Sequence, residues 1–261
     1  NTMRILCIGD IVGSPGRRIF KTKVKELKDS GAVHAVIANA ENAAAGKGIT
    51  EAIAEELFAA GADLLTLGDH TWDQKTSYAL IDKDKRIVRP ANMPEGCLGK
   101  GWATIQTSIG SITVISLMGR TFMNPADCPF KKADELIDKI IPKGSAILVD
   151  FHAEATSEKI CMGWHLDGKV AAVFGTHTHV QTSDAKILPK GTGYITDLGM
   201  TGPINSVIGR EIAPVEKRFL TGMPSFFSVA EGPAVLEGCI FDVDRASGKT
   251  TSIKAIRLYE D

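Results

Sequence analysis

The chain has 261 residues, with 30 Lys plus Arg against 31 Asp plus Glu and a formal net charge of −1. That balance excludes a basic nucleic-acid coat and an acidic tail protein. A composition of 44% hydrophobic and 23% charged residues excludes a disordered or collagen-like chain. No apolar run approaches the roughly 20 residues that a membrane-spanning helix needs, and no signal-peptide pattern opens the chain, so a cytoplasmic protein without a membrane partner is expected. Cys7, Cys97, Cys128, Cys161 and Cys239 form no Cys-x-x-Cys pair, which fits reduced thiols in that compartment. Asn1 and Thr2 precede Met3 and are expected to be a foreign remnant, leaving residues 3–261 as one domain.

In chain order, Arg4–Gly9 is an apolar run ending at Asp10 and predicts a buried strand. Pro15 opens a helix that runs to Leu27 and stops at Gly31. Val33–Ala38 predicts a second strand, Thr50 caps a helix through Ala60, and Asp63–Leu67 predicts a third strand. This alternation argues for parallel β-α-β units. The pattern then changes. Ala103–Thr107 and Ile112–Leu117 read as a hairpin, Lys131–Ile140 as a helix, and Ala146–Val149 and Val170–Phe174 as buried strands. Ala234–Val243 and Thr250–Leu258 read as a closing hairpin. Parallel units together with hairpins predict an α/β fold of two packed mixed sheets with helices outside.

Polar clusters recur where the strands end: Asp10; Glu41-Asn42; Gly68-Asp69-His70; Asp150-Phe-His152; and His177-Thr-His179. Ligands of open α/β sheets bind at that edge. Two histidines two residues apart on an extended segment share one side. Imidazole, carboxylate and amide donors without thiolate suit Mn, Fe, Zn or Mg. The donors are too many for one tetrahedral ion. Two ions bridged by a carboxylate use them all, and such a pair stabilises an in-line displacement at phosphorus.

The ordered blocks Ile-Gly-Asp10-Ile-Val-Gly, Asn-Ala-Glu41-Asn42, Gly-Asp69-His70-Thr-Trp-Asp73, Asp-Phe-His152-Ala-Glu and Gly-Thr-His177-Thr-His179 resemble the YmdB-type branch of the calcineurin-like metallophosphoesterases. The resemblance implies a four-layer αββα sandwich and a two-metal phosphodiesterase in which a hydroxide held between the metals attacks phosphorus. It points to a 2′,3′-cyclic nucleotide or an RNA-related phosphodiester, including RNA ends, and to a homo-oligomer. By resemblance, Asp10, Asn42 and His179 hold the first metal and Glu41 bridges. Asp69, His152 and His177 hold the second, and His70 is the general acid or a phosphate contact. Fe or Mn is the expected pair, with Mg or Zn as alternatives. Arg120 and Thr201 are candidate substrate contacts.

One residue departs from the family pattern, which implies Gly-Asn-His where this chain has Gly-Asp69-His70. The added carboxylate is expected to tighten metal binding and to weaken attraction for an anionic phosphate. It also keeps open an alternative, a metal-containing regulatory protein that binds a nucleotide with little or no turnover. Other motifs fail on spacing. Gly46-Lys47-Gly48 is not a P-loop, Gly9, Gly13 and Gly16 are not a dinucleotide fingerprint, and His152-Ala-Glu154 lacks the cysteines of a zinc deaminase. Asp73 is read as a helix-dipole or capping partner.

Overall fold

In the computed structural model, which describes residues 1–261, the first apolar run forms β1 (Thr2–Ile8). It is followed by the short β2 (Asp10–Ile11), α1 (Gly13–Asp29) and β3 (Ala35–Asn39). Then come α2 (Glu51–Ala60), β4 (Leu64–Thr66), α3 (Tyr78–Lys83) and β5 (Ile87–Val88). The hairpin is β6 (Trp102–Thr107) with β7 (Gly110–Met118). Helix α4 (Pro129–Glu135) follows and runs on as a π-helical turn through Leu136–Ile140. Next are β8 (Ala146–His152), α5 (Thr156–Leu166), β9 (Ala172–Thr176), β10 (Lys186–Ile187), β11 (Gly193–Ile195) and β12 (Met200–Pro203). The chain closes with α6 (Ile212–Thr221), β13 (Ala234–Asp244) and β14 (Thr250–Tyr259).

These strands form two mixed sheets. The eight-stranded sheet runs β2-β12-β13-β1-β3-β4-β5, with β14 paired to β13. Its β1, β3, β4 and β5 are parallel, whereas β13 runs antiparallel to β1. The six-stranded sheet runs β10-β11-β9-β8-β7-β6, parallel from β7 through β8 and β9 to β11 and antiparallel at both edges.

Side-chain alternation stacks the layers. In β1, Met3, Ile5 and Cys7 face the other sheet together with Phe241 of β13 and meet Val114, Leu148 and Phe174 there, while Leu6 and Ile8 face outward with Ile19, Phe20 and Leu57 of α1 and α2. In β8, Leu148 faces inward and Val149 and Phe151 face outward with Ala133 of α4 and Met162 of α5. The result is the expected αββα sandwich.

The expected strands and helices all form, with ends shifted by a few residues. Strands β2, β5 and β10 have two residues each and β11 three, too short to carry a periodicity of their own. Helix α5 was not legible because Gly163, Trp164 and a buried Lys159 interrupt any apolar stripe. Thr201, a candidate substrate contact, belongs to β12.

Candidate metal centre

The polar clusters leave the sheets at the ends of β1, β3, β4, β8 and β9, and the packing of the two sheets brings those ends together. Gly68 makes the approach possible, because a Cβ there would collide with the His152 ring and the Glu41 carboxylate.

The donors fall into two neighbouring groups. In one, His152 Nε2 lies 2.5 Å from Glu41 Oε1, 2.8 Å from Asp69 Oδ1 and 3.2 Å from His177 Nδ1. One ligand atom from each of these four residues fits within 4.8 Å of the others. In the other group, Asn42 Nδ2 lies 3.4 Å from both Asp10 Oδ1 and His179 Nε2, and His179 Nε2 is 3.6 Å from Asp10 Oδ1. The backbone N–H of His177 donates to Asp10 Oδ2 at 3.1 Å, which ties the groups together.

The outward ring nitrogens explain why the inward ones are free. Thr176 donates its hydroxyl to Asp150 Oδ1 at 2.6 Å, so at 2.8 Å it accepts from His152 Nδ1–H. The outward Nε2 of His177 meets Glu154 Oε2 at 2.9 Å, and Nδ1 of His179 donates to the Ile208 carbonyl at 2.9 Å. Each imidazole is thereby held in the tautomer that points a lone pair inward, the usual support for a metal-ligating histidine. Lone pairs of His152, His177, Glu41 and Asp69 then converge at contact distance. Glu41 Oε1 is buried and receives no hydrogen bond. A proton on His152 Nε2 relieves part of that repulsion, whereas a cation among the four atoms relieves all of it. The residues therefore fit a metal, and their oxygen and imidazole set suits the hard to borderline ions expected.

The titration behaviour has the same origin. Burial works against charge on His152, but Glu41, Asp69 and Asp10 raise its proton affinity well above the ordinary histidine range. Burial likewise opposes charge on His179, and Asp10 outweighs it and lifts the group to about 9. Burial alone would raise Asp10 and Asp69. His179 and the His177 N–H hold Asp10 well below the usual carboxylate range, and His152 and His177 do the same for Asp69. Asp150, behind the site, is pushed up to about 6 by burial despite its contacts with His152, Thr176 and Thr66.

His70 stands at the mouth. Its backbone N–H donates to Glu41 Oε2 at 2.9 Å, and its Nδ1 lies 2.7 Å from Asp73 Oδ2, which leaves Nε2 toward the cavity. Asp69 is more distant, with Oδ2 at 3.9 Å from His70 Nε2. Asp73 is thus an orienting partner of His70 rather than a helix cap. The spacing His-x-x-Asp was the available signal.

His177 and His179 do not lie on an extended segment. β9 ends at Thr176, and both histidines have left-handed backbones, with φ of 98° and 66°. Such conformations are uncommon outside glycine and cost about 1–3 kcal/mol each. Thr178 between them anchors the turn, donating its N–H and hydroxyl to Asp197 Oδ2 at 3.2 and 2.6 Å. The kink sends the two rings to different groups.

Arg120 and Thr201 are not brought into the cavity. Thr201 is fully buried in β12, its hydroxyl directed at the Glu237 carbonyl. Arg120 is exposed, and its backbone N–H donates to Glu158 Oε2 at 3.0 Å. The cavity above the donors, of about 520 Å³, is instead closed by residues of the β12–β13 connection, among them Ile208, Arg210, Val215, Arg218 and Phe227. Sequence reasoning missed these, and also Glu154, whose His-x-Glu spacing was its one signal.

A family model described as YmdB-like protein matches residues 6–256. The chain is 51% identical to a Bacillus subtilis protein named 2′,3′-cyclic-nucleotide 2′-phosphodiesterase, over 99% of this chain and 98% of the relative. A solved structure from Thermus thermophilus, described as a hypothetical protein, has a TM-score of 0.94 at 42% identity, covering 99% of this chain and 100% of that one. A Staphylococcus aureus structure described as a "Putative 5'-Nucleotidase" has a TM-score of 0.66 at 11% identity, covering 100% of this chain and 55% of that one, and shows the shared fold alone.

Proposed function

The chain belongs to the YmdB-like family, and from that premise we propose that it is a metal-dependent phosphodiesterase that hydrolyses 2′,3′-cyclic nucleotides or related RNA-derived esters. Residues 3–261 act in this reading as one cytoplasmic domain. No helix is long and apolar enough to cross a membrane. The observation that carries the reading is the meeting of lone pairs from Glu41, Asp69, His152 and His177 beside Asp10, Asn42 and His179.

In this reading Asp10, Asn42 and His179 would hold one metal and Asp69, His152 and His177 the other, and Glu41 would be a ligand common to both. Fe or Mn fits the donors. Such ions supply Lewis acidity toward a phosphoryl oxygen and lower the pKa of water. The chain's own groups do the rest. Glu154, Thr176 and the Ile208 carbonyl keep the histidine rings oriented. His70, steadied by Asp73, presents Nε2 to the cavity, where it contacts the phosphate and gives a proton to the leaving oxygen. The left-handed turn at residues 177–179 fixes the separation of the two groups.

The test is hydrolysis of bis-p-nitrophenyl phosphate by the Mn- or Fe-supplied protein, together with its metal content. Metal-dependent turnover that is lost in His70→Ala and His177→Ala is the expected result, and no turnover with either metal overturns the proposal. Asp69 favours a second reading, nucleotide binding without turnover, because it places a third carboxylate among the donors. Tight nucleotide binding with no product would identify that case.

A further inference from the structure

The cavity has two chemically different ends. One is the donor floor, and the other is an apolar wall that includes Ile208, Val215 and Phe227. Two arginines line the cavity. Arg210 is committed to the protein, donating to the Gly46 carbonyl at 2.6 Å. Arg218 of α6 is paired with no carboxylate, and its guanidinium carbon lies 5.4 Å from the centroid of the Phe227 ring. The volume of about 520 Å³ lies within the roughly 300–1,000 Å³ usual for small-molecule pockets.

A phosphodiester with its phosphorus at the floor must direct its organic substituent somewhere, and the wall limits what that substituent is. An alkyl group would offer the Arg218 N–H donors no acceptor and leave them to water. A bare sugar would leave the Phe227 face uncovered. A nucleobase answers both, because its flat face stacks on an aromatic ring or a guanidinium plane and its ring nitrogens and carbonyls accept from Arg N–H.

We infer that Phe227 and Arg218 form the seat of the nucleobase and set the preference for nucleoside cyclic phosphates over simple cyclic phosphodiesters. The inference rests on the phosphodiesterase reading of the floor.

The test compares kcat/KM for 2′,3′-cyclic AMP with that for glycerol 1,2-cyclic phosphate, which has the same five-membered ester and no base. It uses the full Mn-loaded chain as wild type, Phe227→Ala, Phe227→Tyr and Arg218→Gln. Wild type prefers the nucleotide. The preference ratio falls about ten-fold or more in Phe227→Ala, as expected for a lost base–aromatic stack, and the fall lies in KM for the nucleotide. Phe227→Tyr restores the ratio, and Arg218→Gln lowers it about three-fold. Arg218 is exposed, so its variant carries the test if Phe227→Ala misfolds by circular dichroism. Hydrolysis of both esters with the ratio unmoved in the folded variants overturns the nucleobase seat alone. Hydrolysis of neither by wild type overturns the phosphodiesterase reading as well.

Discussion

The donor floor and the α6 wall of one cavity are built by opposite means. The floor consists of buried side chains at the ends of strands from two sheets, and almost every polar atom is held by a second one behind it. His152 rests on Thr176, Thr176 on Asp150, and Asp150 also receives the Thr66 hydroxyl at 2.5 Å. The wall is a long connection between β12 and β13 whose helix buries only Val215 and leaves Phe219 and Leu220 85% and 77% exposed. The contrast separates two tasks. Charge stabilisation needs donors fixed to a fraction of an ångström, which strand ends and their hydrogen-bonded backing supply. Choice among substrates needs area and shape, which a surface segment supplies without disturbing the floor.

The contrast is broken most directly at Glu41, the carboxylate shared by the floor. Glu41→Gln keeps the shape and removes the charge. The expected loss is about 10²–10³-fold in kcat/KM on both a nucleotide and a simple diester, the size associated with losing one group that stabilises transition-state charge. A loss confined to the nucleotide would show that the floor and the wall had been assigned the wrong way round. Next in size are the supports. Glu154→Gln and Asp73→Asn are expected to lower turnover about 10–100-fold, as outer partners of ligating or catalytic histidines do. For Glu154→Gln, metal content measured by plasma emission falls in parallel. For Asp73→Asn it does not, because His70 is outside the ligand set.

Metal removal sharpens the same division through stability. For each ion bound, Mn²⁺ at 100 times its dissociation constant should stabilise the fold by about 2.7 kcal/mol, read from urea midpoints before and after chelation. That increment should vanish in Glu41→Gln and persist in Arg218→Gln. A smaller effect is expected at Asp69. Asp69→Asn removes a carboxylate within 2.8 Å of His152 and should raise turnover on an anionic ester about 2- to 5-fold at matched metal content. Equal turnover would show that the added charge is neutralised within the site.

The smallest effect belongs to the dry layer beneath the floor. Cys7 and Cys239 pair across β1 and β13 in the core between the sheets. Burial foremost raises both thiols, Cys239 to about 12. They should remain unreactive toward a thiol reagent at pH 8, while the exposed Cys161 reacts. Above about 9 the unfolded thiols lose their protons and the folded ones do not, so stability falls as pH rises from about 9 toward about 12. Urea midpoints across that range measure it.

What the sequence determined by itself is local. Short apolar runs that stop at Asp10, Asn39, Gly68, Asp150 and Gly175 mark buried strands and lead into the polar clusters, because a residue leaving a sheet no longer has to be apolar. The same runs, with two hairpins added, suffice for two sheets and a sandwich. What only tertiary structure decided is pairing across long separations. Asp10 meets the N–H of His177, 167 positions away, and Glu41 meets the N–H of His70, 29 away. No local pattern encodes which carboxylate serves which histidine, or that His177 and His179 diverge through left-handed backbones. The His-x-x-Asp and His-x-Glu spacings mark Asp73 and Glu154 without telling that Glu154 meets His177 rather than His152, and no pattern reveals that α6 turns its side chains toward a site built by other strands. Those facts come from how two sheets stack and how one connection folds back, since such contacts are set by packing between elements rather than by the propensity of any one of them.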